Sequence, residues 1–309
     1  MKSSPGALPP IELHLRRPAS ALRDPLLGLQ LFDQLCARSA VVIRGGGRLS
    51  LPEIGAIADS VFARQPAYDT KEHPELDVSS GLYAPVKFAP EEELLWHHED
   101  TFNETWPEYI MFCSATVPEW GGETSIVDGR LVLDSMSRDV VDVLREFGIT
   151  YERHVDGRAG RTWQQLYGTS KKEKAIAHAL SRNEKLSFVT ADSAVLTAHR
   201  PAFKRVGEKE SWFNQLLHWH YAALPKDIRK LVEQGHIPIY RFCRYGNGGE
   251  IDPRSVEQLV EAHRDVEHVV RWAPGDMVFL NNAVMSHGRR PYRGKREHVV
   301  RLAGVGRSH

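Results

Sequence analysis

The pattern that decides the fold is Leu94-Leu95-Trp96-His97-His98-Glu99-Asp100-Thr101-Phe102. On an extended strand, residues two apart point to the same side. His97 and Glu99 therefore offer an imidazole nitrogen and a carboxylate oxygen to one point, and His98 and Asp100 do the same on the opposite face. The two pairs cannot bind the same metal ion. A lone His-x-carboxylate pair also occurs by chance, so the pattern needs support from elsewhere in the chain.

That support comes from the far end of the chain, in Asn281-Asn282-Ala283-Val284-Met285-Ser286-His287-Gly288-Arg289. A histidine from a distant strand completes the facial triad of two histidines and one carboxylate. This triad holds non-haem iron(II) and leaves metal positions open for a cosubstrate and dioxygen. His287 is the candidate. Asn282 or Asp276 could help to orient the ligating histidines, although a cap of the turn after Gly275 is the favoured role of Asp276. An arginine downstream of His287 could bind the distal carboxylate of a dicarboxylic cosubstrate, because a guanidinium matches that group.

Short β-favouring runs with turn signals between them surround both motifs. Gly121-Gly122 separates two runs, and Pro274-Gly275-Asp276 precedes two more. This pattern predicts a mainly β protein with added helices (α+β), whose core is a jelly roll (double-stranded β-helix). The predicted strands are residues 109–117, 124–127, 269–272, 277–281, 285–289 and 298–305.

Helical spacing and helix-start signals lie outside these strands. Residues 26–40 have apolar residues at helical spacing and run into a strand at 40–44. Ser50-Leu51-Pro52-Glu53 and Asp252-Pro253 both begin helices, with a proline in the first turn. Residues 137–147 and 170–180 are two further predicted helices.

The order of these elements predicts one domain. Residues 1–20 form a flexible lead-in, and residues 21–309 form a single jelly-roll domain with a central insert near 156–210. Residues 66–93 lack periodicity and precede the first metal motif. A long loop of this kind is often a lid over an active site.

Composition excludes several classes of function. The 309 residues contain 40 Lys plus Arg and 40 Asp plus Glu, so no net charge favours nucleic acid or a membrane surface. No stretch approaches the roughly 18 apolar residues of a transmembrane helix. Cys36, Cys113 and Cys243 form no CxxC pair, so we expect buried thiols rather than disulfides or a zinc site. These features predict a cytoplasmic protein.

The motifs together resemble the taurine dioxygenase (TauD/TfdA) family. The resemblance rests on His97-His98-Glu99-Asp100-Thr101-Phe102, the strand after Pro107, Gly121-Gly122-Glu123-Thr124, and the segment from Gly275 to Arg296, and it covers roughly residues 35–305. Trp212-Phe213-Asn214-Gln215 and Tyr245-Gly246-Asn247-Gly248 are also similar to the SyrP-like proteins of peptide-antibiotic biosynthesis.

The resemblance implies which residues hold each group. Thr124 follows His97 by 27 residues, as the cosubstrate-binding threonine of the family does, so His97, Glu99 and His287 match the iron ligands. Thr124 and Arg296 match the residues that hold 2-oxoglutarate. Arg301, on the same final strand, is the second choice for the arginine, or a substrate contact.

The activity implied is that of an Fe(II)- and 2-oxoglutarate-dependent dioxygenase that consumes O2. Because Glu99 fills the position that halogenating relatives leave vacant for chloride, hydroxylation is favoured. The subgroup implies a small-molecule substrate, an amino acid that is free or presented by a carrier protein, in natural-product biosynthesis. A dioxygenase for a small free sulfonate or carboxylate in catabolism is the alternative. A non-catalytic binding or regulatory protein that retains the fold is another. The oligomeric state is not indicated.

Overall fold

The computed structural model describes residues 10–14, 19–70, 72–77, 81–158 and 160–308. Of the predicted lead-in, residues 1–9 and 15–18 lie outside these ranges, and Ile11–His14 forms a short strand. Within the described ranges, no helix has the length and apolar character needed to cross a membrane.

Strands and helices alternate irregularly along the described ranges. The strands are β1 (Ile11–His14), β2 (Ala40–Arg44), β3 (Glu75–Asp77), β4 (Leu82–Tyr83), β5 (Leu94–His97), β6 (Thr105–Trp106), β7 (Tyr109–Thr116), β8 (Trp120–Gly121), β9 (Thr124–Asp128), β10 (Ile149–His154), β11 (Glu184–Phe188), β12 (Ala194–Arg200), β13 (Phe203–Val206), β14 (Lys209–Trp212), β15 (Arg241–Tyr245), β16 (His268–Val270), β17 (Met277–Asn281), β18 (Met285–Arg289), β19 (Tyr292–Arg293), β20 (Glu297–Ala303) and β21 (Gly306–Arg307). The α-helices are α1 (Pro25–Arg38), α2 (Leu51–Val61), α3 (Gly129–Ser135), α4 (Arg138–Phe147), α5 (Trp163–Tyr167), α6 (Lys172–Leu180), α7 (Leu216–Trp219), α8 (Lys226–Glu233) and α9 (Pro253–Val266), and short 3-10 helices lie at Ala19–Arg23 and Tyr221–Ala223.

The chain divides into two compact units. The first comprises Met1–Glu99, Trp106–Leu131 and Glu267–Gly306, and the second comprises Asp100–Thr105, Val132–Val266 and Arg307–His309. The insert predicted near 156–210 lies inside the second unit, whose main segment begins earlier and ends later. The bounds of the insert stay a prediction.

The first unit contains the predicted jelly-roll core. One sheet has the strand order β1-β2-β17-β7-β20-β4-β3, and the other has the order β16-β9-β18-β5. The pairs are antiparallel except β1 with β2, which is parallel. The rings of Phe112 on β7 and His287 on β18 have centroids 5.0 Å apart, so the inner faces of the two sheets meet there.

Helices α1 and α2 cover the outer face of the larger sheet. Leu35 and Ile57 pack in one core with Met111, Phe279 and Val299 of the sheet. Because side chains alternate along a strand, the neighbours of these sheet residues point to the opposite, inner face. The apolar spacing of residues 26–40 is thus explained by burial against the sheet.

Both helices begin at capping residues, of which the sequence analysis identified those of α2. Oδ1 of Asp24 accepts a hydrogen bond from the backbone N–H of Leu26 at 2.8 Å, just before Pro25 in the first turn of α1. At α2, Glu53 accepts from the backbone N–H of Ser50 at 2.9 Å in a capping box. These caps satisfy N–H groups that would otherwise lack partners at the helix ends.

The second unit is built on a four-stranded antiparallel sheet, β11-β12-β10-β15, with the hairpin β13-β14. Trp163, Tyr167 and Leu186 form the centre of an apolar core in this unit. The predicted helices at 137–147 and 170–180 are confirmed as α4 and α6, which start one and two residues later and end at the predicted residues. The helix predicted to begin at Asp252-Pro253 is α9.

Residues 66–93 are not the unbroken loop that the lack of periodicity predicted. β3 and β4 extend the larger sheet, where Tyr83 pairs with Val300 and Leu82 with Arg301. The segment is anchored by these strands at its centre. Whether the rest of it moves as a lid stays a prediction.

The three cysteines are free thiols. Cys113 and Cys243 are buried, as expected, but Cys36 is exposed.

Candidate active site

His97 and His287 lie directly opposite each other on neighbouring antiparallel strands. His97 ends β5, His287 is at the centre of β18, and their Cα atoms are register partners. The two imidazole rings have centroids 4.4 Å apart. Residues separated by 190 positions are thus brought together by one strand pairing, as the sequence predicted for the metal motif.

Glu99 is placed differently from the expectation. β5 ends at His97, so strand alternation alone does not hold Glu99 beside it. Instead, the side chain of Asn282 binds the Glu99 backbone: Oδ1 accepts from the Glu99 N–H at 2.8 Å, and Nδ2 donates to the Glu99 carbonyl at 3.0 Å. Nδ2 also donates to the Pro107 carbonyl at 2.8 Å. The buried Asn282 therefore fixes the backbone that carries the carboxylate.

The three candidate ligands form a compact, buried donor set. One ligand atom from each of His97, Glu99 and His287 lies within 4.8 Å of the others. Nε2 of His287 is 3.5 Å from Oε2 of Glu99. Two imidazole nitrogens and one carboxylate oxygen on one side of a cation are the ligand set of non-haem iron(II), so these residues fit that metal.

The surroundings keep His97 and Glu99 in the protonation states that metal binding needs. Nδ1 of His97 faces the Leu95 carbonyl at 3.0 Å, which places the ring proton on Nδ1 and leaves the Nε2 lone pair for a metal. Burial, together with the neighbouring His287, lowers the pKa of His97 to about 4. Burial by itself would raise the pKa of Glu99, but His73 and His287 beside it hold that pKa well below its usual value.

The overlapping pair His98 and Asp100 is not part of this cluster. Among the described residues, the group able to hold a metal contains His97, Glu99 and His287 and neither of the other two. His98 is fully buried within the protein. The structure thus brings His97 and Glu99 together with His287, and this is the pair that the resemblance favoured over His98 and Asp100.

His73 is a further residue at this site that sequence reasoning missed. Its Nε2 lies 3.2 Å from Oε1 of Glu99, and its Nδ1 lies 3.1 Å from the Ala84 carbonyl. The two oxygens of Glu99 therefore have different neighbours, His73 at Oε1 and His287 at Oε2. His73 lies in the segment without periodicity, where no pattern singles out one residue.

Thr124 and Arg296 lie in a second cluster in the same unit. Oγ1 of Thr124 accepts a hydrogen bond from Nε1 of Trp272 at 3.1 Å. The guanidinium of Arg296 donates from Nε to the Gly122 carbonyl at 3.0 Å and from Nη2 to Nδ1 of His298 at 3.3 Å. Sequence reasoning found the threonine and the arginine but not Trp272 or His298.

The surroundings of Arg296 suit the binding of an anion. Burial, together with nearby Arg289, lowers its pKa to about 10. Within the described part of the chain, no carboxylate lies within ion-pair distance of its guanidinium, whereas Arg290 has both Glu93 and Glu267. Removing a guanidinium from water is costly unless it is paired, so a bound carboxylate suits the half-buried Arg296.

Arg301 has a different position from Arg296. Its Nη2 donates to Oδ1 of Asp59 on α2 at 3.0 Å. Arg301 is on the same strand face as Val299, which packs in the outer core, so its side chain points away from the inner face. Arg301 is thus not brought together with Thr124.

Comparisons with known proteins agree with this geometry. Residues 6–303 match the family described as "Taurine catabolism dioxygenase TauD, TfdA family". The dapdiamide synthesis protein DdaC of Enterobacter agglomerans is 27% identical over 301 residues, covering 96% of this chain and 91% of DdaC.

Solved structures share the fold at low identity. PvcB of Pseudomonas aeruginosa has a TM-score of 0.53 at 14% identity, with 98% of this chain and 89% of PvcB covered. AAD-2 in complex with Mn(II) and N-oxalylglycine has a TM-score of 0.52 at 13% identity, with 97% of this chain and 96% of AAD-2 covered. Because the family match spans nearly the whole sequence, the chain belongs to the TauD/TfdA family and is an iron(II)- and 2-oxoglutarate-dependent dioxygenase with a jelly-roll core that acts on a small-molecule substrate.

Proposed function

We propose that this dioxygenase hydroxylates an unactivated C–H bond of an amino acid, free or tethered to a carrier protein, in natural-product biosynthesis. The observation that carries the proposal is the buried cluster of His97, Glu99 and His287 in a chain related to DdaC. DdaC is named for dapdiamide synthesis, and a PvcB structure is described as an oxygenase of an isonitrile synthetic pathway. Both names point to biosynthesis rather than catabolism.

In this proposal His97, Glu99 and His287 bind the iron. When bound there with 2-oxoglutarate and dioxygen, iron would supply the chemistry that oxidises a substrate C–H bond. The protein keeps His97 neutral through burial and holds Glu99 in place through Asn282. These contacts set the ligand geometry before the metal arrives.

Thr124 and Arg296 hold the distal carboxylate of 2-oxoglutarate in this proposal. Oγ1 of Thr124 accepts a hydrogen bond from Trp272. The threonine O–H group therefore remains able to donate a hydrogen bond to a carboxylate oxygen. Arg296 supplies the positive charge. Arg301 is engaged by Asp59 on the outer face, which supports Arg296 rather than Arg301 for this role.

We propose hydroxylation rather than halogenation because Glu99 provides the third protein ligand. A halide would need that position on the metal. We also place the protein in the cytoplasm, where its free thiols would stay reduced.

Anaerobic loading with iron(II), followed by dioxygen and a substrate panel, tests the proposal. The panel contains free amino acids, the same amino acids on a phosphopantetheinyl carrier protein, taurine and small aryloxy acids. We expect stoichiometric succinate and a product heavier by one oxygen atom for an amino-acid substrate. Turnover confined to the sulfonates or aryloxy acids would favour the catabolic alternative. Chlorinated product in the presence of chloride would contradict hydroxylation, and absence of any succinate would favour a non-catalytic role.

A further inference from the structure

We propose that His298 is a third hydrogen-bond donor to the distal carboxylate of 2-oxoglutarate, acting beside Thr124 and Arg296. The inference rests on the proposed placement of the cosubstrate at those two residues. It adds a neutral donor, Nε2–H of His298, that the sequence motifs do not assign.

The hydrogen bond from Arg296 fixes the tautomer of His298. A guanidinium can only donate, so Nδ1 of His298, 3.3 Å from Nη2 of Arg296, must be the acceptor. An imidazole whose Nδ1 carries a lone pair has its proton on Nε2. His298 therefore presents Nε2–H as a donor.

This donor is buried and has no partner in the described part of the protein. His298 is 4% exposed, and its Nε2 has no hydrogen bond. A buried polar group without a partner costs free energy comparable to a lost hydrogen bond, and such groups are rare in native proteins. A ligand acceptor at this point would remove the cost.

His298 lies beside the residues that we propose to hold the cosubstrate. Its ring meets the ring of Trp272 edge-on, with centroids 4.6 Å apart, and Trp272 also donates to Thr124. Arg296, in turn, binds the carbonyl of Gly122, two residues before Thr124. Trp272 and Arg296 thus each connect His298 to the segment that ends at Thr124.

The charge of the cluster suits a dicarboxylate. Burial, together with the neighbouring Arg296, holds the pKa of His298 well below its usual value, so the ring is neutral. Arg296 then supplies one positive charge for one carboxylate, and Thr124 and His298 add hydrogen bonds without a second charge. This arrangement avoids burying an uncompensated cation.

Calorimetric binding of N-oxalylglycine to the Mn(II)-loaded protein tests the inference without turnover. His298→Phe keeps an aromatic ring against Trp272 but removes both ring nitrogens. We expect this variant to bind N-oxalylglycine about tenfold more weakly, because it loses one hydrogen bond to a charged group. His298→Gln, whose amide can replace both the acceptor and the donor, should bind within about threefold of the unmodified protein.

Pyruvate provides the ligand control, because it lacks the distal carboxylate. His298→Phe should leave pyruvate and Mn(II) affinity unchanged. His263→Phe, the same substitution at another fully buried histidine, controls for general loss of packing and should leave N-oxalylglycine affinity unchanged.

The outcomes separate the inference from the proposed function. Equal affinity of His298→Phe and the unmodified protein for N-oxalylglycine would overturn the role of His298 alone. An equal loss for pyruvate and N-oxalylglycine would overturn it as well, since the effect would not depend on the distal carboxylate. Failure of the unmodified Mn(II)-loaded protein to bind N-oxalylglycine would overturn the proposed cosubstrate site itself.

Discussion

Asn282 binds both backbone polar groups of Glu99, accepting from its N–H at 2.8 Å and donating to its carbonyl at 3.0 Å. Asn282 lies in the turn between β17 and β18, five residues before His287. The strand that carries one candidate ligand is therefore connected through a single amide to the backbone of another. This contact links two motifs that are far apart in the sequence.

Replacing Asn282 should weaken both the fold and the metal site. Asn282→Ala leaves buried backbone groups of Glu99 without partners, at a cost of about 1–3 kcal/mol for each group in the free energy of unfolding. We expect lower iron(II) affinity, because the Glu99 carboxylate loses its fixed backbone. Denaturant unfolding and anaerobic iron titration measure the two effects.

Asn281→Ala is the matched control for this prediction. The Asn281 side chain accepts from the backbone N–H of Ala283 within the same turn and does not contact Glu99. If both variants lose iron equally, the effect comes from the turn in general and not from the contact with Glu99.

His73 should tune iron binding without being one of the three ligands. Its Nε2 is 3.2 Å from Oε1 of Glu99, so His73→Ala removes the neighbour that orients this oxygen. We expect iron(II) affinity to fall by about tenfold, the lower end of the range for residues behind metal ligands. His73→Gln should recover most of the affinity because an amide can still donate to the carboxylate. A Gln variant as weak as the Ala variant would argue against orientation of Glu99 by His73.

Arg296 and Arg301 should respond differently to truncation. Arg296→Ala should raise the 2-oxoglutarate concentration needed for half-maximal succinate formation by at least about tenfold, because a charge-assisted pair is lost. Arg301→Ala loses an ion pair to the exposed Asp59, which is typically worth less than about 1 kcal/mol of stability. The reverse result, with a large rise for Arg301→Ala only, would move the cosubstrate contact to Arg301.

Hydrogen exchange separates the anchored and the lid-like parts of residues 66–93. The backbone N–H of Tyr68 donates to the carbonyl of Leu302, and that of Ala84 donates to the carbonyl of Pro74. We therefore expect both amides to be protected from exchange without substrate. Arg289 also donates to the carbonyls of Ala89 and Glu92. We predict added protection elsewhere in the segment when substrate joins iron and 2-oxoglutarate, since a closing lid excludes water. Full protection before substrate, with no later change, would rule out the lid.

Predictions from the sequence were most accurate for elements whose turn and capping residues agree with their place in the fold. The strands 277–281 and 285–289 have the predicted bounds, because each is an apolar or motif-bearing run between clear turns. The helix starts after Ser50 and at Pro253 were predicted from capping residues and a proline in the first turn. The metal motif was predicted because its residues belong to two recognisable segments.

The residues that sequence reasoning missed depend on tertiary contacts. His73 lies in a stretch without periodicity, and His298 and Trp272 look like ordinary strand residues until Arg296 and Thr124 are placed beside them. β3 and β4 are too short for a pattern to emerge before their partner strand is known.

Anaerobic iron(II) titration of alanine variants at His97, His98, Glu99, Asp100 and His287 tests the central claim most directly. We predict that the variants at His97, Glu99 and His287 lose high-affinity iron, because each removes a donor from the cluster. The folded variants at His98 and Asp100 should keep it, with circular dichroism used to confirm that they are folded. Loss of iron in a folded His98→Ala protein, with iron retained in His97→Ala, would contradict the account.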